Sequence, residues 1–155
     1  MTVGKVFPPP QFGARMKTIV HRVAFKASPN ELYRAYMDPK RHAKLHGGAK
    51  ATVSPRVGGR MSAWDGYCWG DFLALVPNRL IVQTWRTTDW KRSDADSILF
   101  LTLEPTRTGT RLTMVHAQVP DHQARSLDQG WRDHYWTPMK RLAKATSGRQ
   151  RLSST

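Results

Sequence analysis

The chain has 155 residues, 39% of them hydrophobic and 10% aromatic, enough for a single packed core without metal or disulfide staples and too apolar for wholesale disorder. Twenty-five Lys and Arg against 11 Asp and Glu give a net charge of +14, which invites an anionic partner, although the scatter of the cations favours a solvated basic surface. No stretch approaches the roughly 18 apolar residues of a membrane span, and no apolar run marks a signal peptide before the first prolines. The lone Cys68 cannot bridge internally, so the expected setting is the reducing cytoplasm.

Residues 1–15 read as a tail, because Pro8-Pro9-Pro10 favours an extended, hydrogen-bond-free backbone. Residues 16–146 are expected to form one domain, and 147–155 a basic tail. From Met16 to Ala27, Ile19, Val23 and Phe25 share one parity, with Lys17 and His21 taken as polar positions between them, so this is a half-buried first strand. Ser28-Pro29-Asn30-Glu31 is a helix start: Ser28 caps, Pro29 suits the first helical position and Glu31 completes a capping box. Asp38-Pro39 begins a second short helix that ends at Gly47-Gly48.

Six strands are expected next, at about 49–54, 60–65, 67–76, 79–87, 96–104 and 110–119. Asp65-Gly66 and Pro77-Asn78 make two of the reversals, and Pro120 ends the last strand. Gly70 is a plausible bulge. From about Ser126 the period changes: Leu127, Trp131, Tyr135, Pro138 and Leu142 share a helical face. Ser126 and Gln129 resemble a capping box, and Pro138 should kink the helix by freeing the carbonyl of His134. A meander with one apolar face needs a cover, and the last helix is the long amphipathic element available. The expected class is α+β: a curved antiparallel sheet gripping a C-terminal helix.

That order is carried by specific residues: Val57-Gly58-Gly59-Arg60, Asp65-Gly66 with Gly70, Leu75-Val76-Pro77, and Ile81 to Arg86 leading to Trp90. Gly109 to Thr113, Val119-Pro120, Gln129-Gly130-Trp131 and His134-Tyr135-Trp136 follow. Together they resemble the helix-grip (SRPBCC) superfamily of START and birch-pollen-allergen domains, and most closely the C-terminal domain of activators of the 90-kDa heat shock protein ATPase. The resemblance implies the fold and a ligand cavity more directly than a reaction. Single-domain relatives often carry a tryptophan pair where this chain has Leu45-His46, so that rim is expected to be more polar.

Catalytic motifs are scarce. Cys68 sits within an expected strand, away from any helix N-terminus that would lower its pKa, and reads as a packed residue. His42 and His46, spaced i, i+4, could both face one metal, but two ligands among Lys40, Arg41 and Lys44 make no site, and neither metal nor cofactor is expected. Asp71, Tyr67, His116 and Glu104 are acid–base candidates without a diagnostic pairing, so no catalytic residue is assigned. His116 shares parity with Leu112 and Met114 and faces inward, as a neutral core histidine or a polar group orienting a ligand.

The expected ligand cavity is lined by Trp64, Trp69, Phe72, Trp85, Phe100, Met114 and His116 from the strands, and Trp131, Tyr135 and Met139 from the helix. Which of Trp69 and Phe72 faces inward is left open. The leading expectation is a non-enzymatic module binding a small hydrophobic or aromatic molecule. The alternatives are a chaperone-interacting protein meeting an acidic partner, a polyketide cyclase-like enzyme by analogy with helix-grip relatives, or, last, a nucleic-acid binder. A homodimer is among the expected assemblies.

Overall fold

The computed structural model describes residues 15–141, and the expected tails fall almost wholly outside that span. Seven antiparallel strands form one sheet in the order β1-β7-β6-β5-β4-β3-β2. They are β1 (Met16–Phe25), β2 (Thr52–Val53), β3 (Arg60–Ala63), β4 (Cys68–Val76), β5 (Leu80–Thr87), β6 (Ser97–Thr106) and β7 (Gly109–Pro120). Helices α1 (Pro29–Met37) and α2 (Pro39–Leu45) link β1 to β2, and α3 (Asp121–Trp131) follows β7 directly.

The helix starts are locally encoded. The Ser28 hydroxyl accepts from the Glu31 amide and the Asp38 carboxylate from the Lys40 amide, each ahead of a proline. At the β3–β4 reversal, Asp65 and Gly66 take φ +55° and +90° as a two-residue turn demands, and Trp64 is left-handed as well, at +55°. Side-chain alternation then sets the faces. Ile19, Phe25, Met61, Phe72, Ile81, Leu99, Leu101, Leu112 and Met114 point inward with Leu32, Tyr36 and Trp131 from the helices, and all are buried.

Several expectations shift. His21 is buried on the same face as Ile19 and Phe25, because residues 17 to 25 of odd number all share that face. Gly70 carries no bulge. Register slips instead between Phe72 and Ala74, and Gly70 is needed because a Cβ there would lie 1.6 Å from the Thr84 carbonyl oxygen. The strand expected at 49–54 shrinks to two residues.

The last helix begins at Asp121, five residues before Ser126, so the Ser126–Gln129 capping box does not form. Its first residues, Asp121-His122-Gln123, are polar, and the apolar step of Ala124, Leu127 and Trp131 begins only after them. Pro138 does disturb the helix, as expected of a residue lacking an amide hydrogen. The disturbance is a π turn over Arg132–Trp136, in which the Thr137 amide donates to the Arg132 carbonyl, five residues back, before α-helical geometry resumes at residues 137–141. Leu142, the last member of the expected face, lies outside the described residues.

Candidate functional site: an aromatic cleft beneath the C-terminal helix

A cleft of about 390 Å³ opens between α3 and the β3–β5 region of the sheet, a volume within the roughly 300–1,000 Å³ typical of ligand sites. The sheet side contributes Trp64 and Tyr67 from the β3–β4 turn, Cys68 from β4, and Trp85 and Thr87 from β5. The helix side contributes Ser126, Leu127, Gly130, Trp131, His134 and Tyr135.

Local structure explains these positions. The turn carrying Trp64 is tied down at Asp65, whose carboxylate accepts from the Lys50 amide at 2.8 Å and whose own amide donates to the Lys50 carbonyl at 3.0 Å. Trp64 then stacks on His46 at 4.3 Å and meets the edge of His134 at 5.1 Å. Deeper in, Trp85 lies 5.0 Å from Trp131, which lies 4.6 Å from Tyr135. The π turn brings residues five apart onto one side of the helix, so Trp131 also stacks on Trp136 at 5.4 Å.

Three histidines hold this aromatic row to the rest of the fold. Trp131 Nε1–H donates to His116 Nδ1 at 3.1 Å, so Nδ1 carries no proton. The His116 Nε2–H then donates to Ser97 Oγ at 2.7 Å, and the Ser97 hydroxyl donates to the Trp85 carbonyl at 2.9 Å. Trp136 Nε1–H donates to His21 Nδ1 at 2.9 Å, leaving Nε2–H for Asp128 at 2.8 Å. His42 Nδ1–H donates to the Tyr36 carbonyl at 2.8 Å, and its Nε2 accepts from the Tyr135 hydroxyl at 2.9 Å. Each ring is an acceptor toward α3 or the π turn only while it is neutral.

For two of the rings burial enforces that state: it pushes His116 down to about 3, and it pushes His42 down to about 4 against the opposing effect of the Tyr36 carbonyl. His46 differs. Burial, then the neighbouring His42 and His134, push it down to about 3. Neither ring nitrogen has a hydrogen-bond partner, and the nearby His134 carbonyl raises the pKa slightly without reaching hydrogen-bond geometry.

Of the ten expected lining residues, Trp64, Trp85, Trp131 and Tyr135 line the cleft. Phe72, Met114, His116 and Met139 lie beneath it in solid core. Phe72 is the inward member of its pair, and Trp69 is half-buried on the outer face opposite Arg86. Phe100 also faces outward and is 36% exposed, because its inward neighbours are Leu99 and Leu101. Tyr67, Cys68, Thr87, Ser126, Leu127, Gly130 and His134 were not expected at the cleft. Parity with Trp85 carried the signal for Thr87, and the i−4 and i+3 positions from Trp131 carried it for Leu127 and His134.

The acid–base candidates do not converge. Asp71 pairs with Arg60, Glu104 pairs with Arg111, and His116 is sealed under Trp131. Tyr67 reaches the cleft and donates to Asp89 at 2.5 Å. Cys68 also borders it, but burial pushes its thiol up to about 12, which keeps it protonated and a poor nucleophile. His42 uses both ring nitrogens in hydrogen bonds, so it has none free to share a metal with His46. Among the described residues no three His, Cys, Asp or Glu side chains come together as a metal site.

Comparison with known proteins agrees with the fold. A protein from Mesorhizobium loti superposes with a TM-score of 0.71 at 28% identity, covering 84% of this chain and 98% of its own. The solution structure of the Aha1 dimer from Colwellia psychrerythraea gives a TM-score of 0.69 at 20% identity, over 83% of this chain and 97% of that one. The human activator of 90 kDa heat shock protein ATPase homolog 1 is 32% identical over 123 residues, which is 79% of this chain but 36% of that protein. The chain thus spans about a third of the human relative's length. The family model described as Activator of Hsp90 ATPase homolog 1-like protein matches residues 26–144, and with these relatives it establishes that the chain belongs to that family.

Proposed function

We propose that this protein is a non-enzymatic binding module that holds a small hydrophobic or aromatic molecule between the sheet and the C-terminal helix. The observation that carries this reading is the cleft of about 390 Å³ walled by Trp64, Trp85, Trp131 and Tyr135. Flat indole and phenol rings give a planar guest large contact faces, while the Thr87 and Ser126 hydroxyls and Tyr67 supply a few polar positions. Titration of the full chain with lipids, sterols and polyketide-like aromatics, followed by intrinsic tryptophan fluorescence, is expected to show saturable quenching or a spectral shift. Ligand-independent fluorescence across those classes, with no small molecule co-purifying by mass spectrometry, would overturn it.

A second reading, contact with a 90-kDa chaperone or another acidic protein, is favoured by family membership and by the +14 charge. It expects salt-sensitive association with the purified chaperone and a changed ATPase rate, and an unaltered rate at saturating protein rejects it. We extend to this chain, as part of the same proposal, the self-association of the Colwellia relative.

A further inference from the structure

The outer face of the sheet is unusually apolar for a surface no described helix covers. The helices reach the sheet through inward side chains, as in Tyr36 to Gln83 and Trp131 to His116. An antiparallel sheet with one solvated face ordinarily turns polar residues outward. Here the pairing register instead aligns Val20 of β1, Val115 of β7, Phe100 of β6, Val82 of β5 and Ala74 of β4 in one unbroken row across five strands. Val20 is 44% exposed and Phe100 36%, Val115 and Ala74 are half-buried and Val82 is buried at 9%, while Leu73, extruded by the β4 irregularity beside Ala74, is 48% exposed. Such a contiguous band marks an interaction surface rather than isolated exposed residues.

Two observations choose the occupant. The first is charge. The rows flanking the band hold Ile98, Thr84 and Asp71 on one side, and Arg22, Thr113, Thr102 and Leu80 on the other. Asp71 is neutralised by Arg60 at 2.8 Å, and Arg111 and Glu104 pair at 3.1 Å beyond, so Arg22 alone carries unpaired charge on these rows. Other exposed cations without an acidic partner among the described residues lie off this face, on the helices (Arg34, Lys40, Lys44, Arg125) or in the loops between elements (Lys26, Arg56, Arg79, Arg92, Arg107). For two chains of +14 each, this nearly neutral face is where close approach meets least repulsion.

The second observation is symmetry. Phe100 is the middle of the five residues, with Val115 and Val82 one strand away and Val20 and Ala74 two strands away. A twofold axis between two such sheets, running along β6 at Phe100, lays Val115 of one copy over Val82 of the other and Val20 over Ala74. This is a self-complementary contact of the kind sheets make at about 10 Å separation.

We propose that this outer face, centred on Phe100, is the surface through which two copies of the chain pack, an assignment that rests on the self-association proposed above. Five strands at ~4.8 Å and three rows at ~7 Å give a footprint on the order of 500 Å² with its borders. That is below the roughly 800 Å² per partner of a standard interface. The dimer is therefore of the weak, transient class, and it tightens with salt as the mutual repulsion is screened.

Sedimentation velocity of the full chain from about 5 to 300 μM, in low and high salt, tests both parts. The expected result is a concentration-dependent dimer, more populated in high salt, that weakens at least tenfold in Val20→Lys and in Phe100→Thr. Both positions are partly exposed, and threonine suits a strand, so circular dichroism is expected to show folded variants. Gly130→Leu, on the cleft side, should leave the dimer intact. A wild-type chain that stays monomeric throughout overturns self-association and this face together. A dimer unaffected by either variant, or weakened by salt, overturns the face alone and leaves association to another surface.

Discussion

His46 stacks flat on Trp64 while both its nitrogens sit buried without a partner. A buried donor and acceptor left unmade cost about 1–3 kcal/mol, whereas an apolar ring of similar shape carries no such penalty. His46→Phe is therefore expected to stabilise the fold by about 1 kcal/mol in urea unfolding at pH 7, with one extra ring atom limiting the gain. The opposite holds at His116, where both nitrogens are used. His116→Leu leaves the Trp131 indole N–H unpaired, and a loss of about 2–3 kcal/mol is expected in the same assay. The two histidines look alike in the sequence. What separates them is whether a neighbouring element offers a donor, and that depends on the docking of the last helix.

At the scale of elements, the C-terminal helix combines a disruption with a contact surface. Its π turn relieves Pro138 and at the same time delivers Trp131, Tyr135 and Trp136 to His116, His42 and His21, on β7, α2 and β1. Gly130 lies one residue before this row, where a Cβ would meet nothing closer than the His134 ring at 3.8 Å. Gly130→Ala is expected to raise stability by about 0.5–1 kcal/mol, because glycine weakens a helix interior. Gly130→Leu should keep the fold and fill the cleft, so that ligand-dependent fluorescence changes disappear while the thermal midpoint holds. On the sheet side, Gly70→Ala would drive a methyl into the Thr84 carbonyl and split β4 from β5. Loss of more than about 3 kcal/mol, or failure to fold, is expected by the same urea assay.

For the molecule as a whole, the buried neutral histidines dictate the response to acid. His42 and His116 titrate near 6.5 when unfolded but at about 4 and about 3 when folded. The unfolded chain therefore binds more protons in this window, and stability falls as pH falls. The loss begins near pH 6.5 and ends only where the folded rings themselves protonate, near pH 4 to 3. At pH 5 each of these two rings contributes about 2 kcal/mol of destabilisation, together about 4 kcal/mol, and His46, also pushed down to about 3, adds to the fall in the same direction. Thermal melts from pH 8 to 4 are expected to be flat down to about pH 7 and then to drop steeply; a flat profile to pH 5 would show these rings already protonated in the fold.

By itself the sequence determined whatever depends on neighbours along the chain. The capped starts of α1 and α2, the left-handed Asp65-Gly66 turn, the succession of strands along the chain and the four-residue aromatic step of the last helix all follow from local sterics and periodicity, and with the family resemblance they made the helix-grip fold legible. Tertiary structure decided the rest. It placed Phe72 inside and Trp69 and Phe100 outside, moved the bulge from Gly70 to Leu73, and started α3 at Asp121. It also reduced the ten expected cleft residues to four, adding Tyr67, Cys68, Thr87, Ser126, Leu127, Gly130 and His134. The reason is that alternation tells which residues share a face, but a cleft and its hydrogen bonds form only where two elements distant in sequence meet.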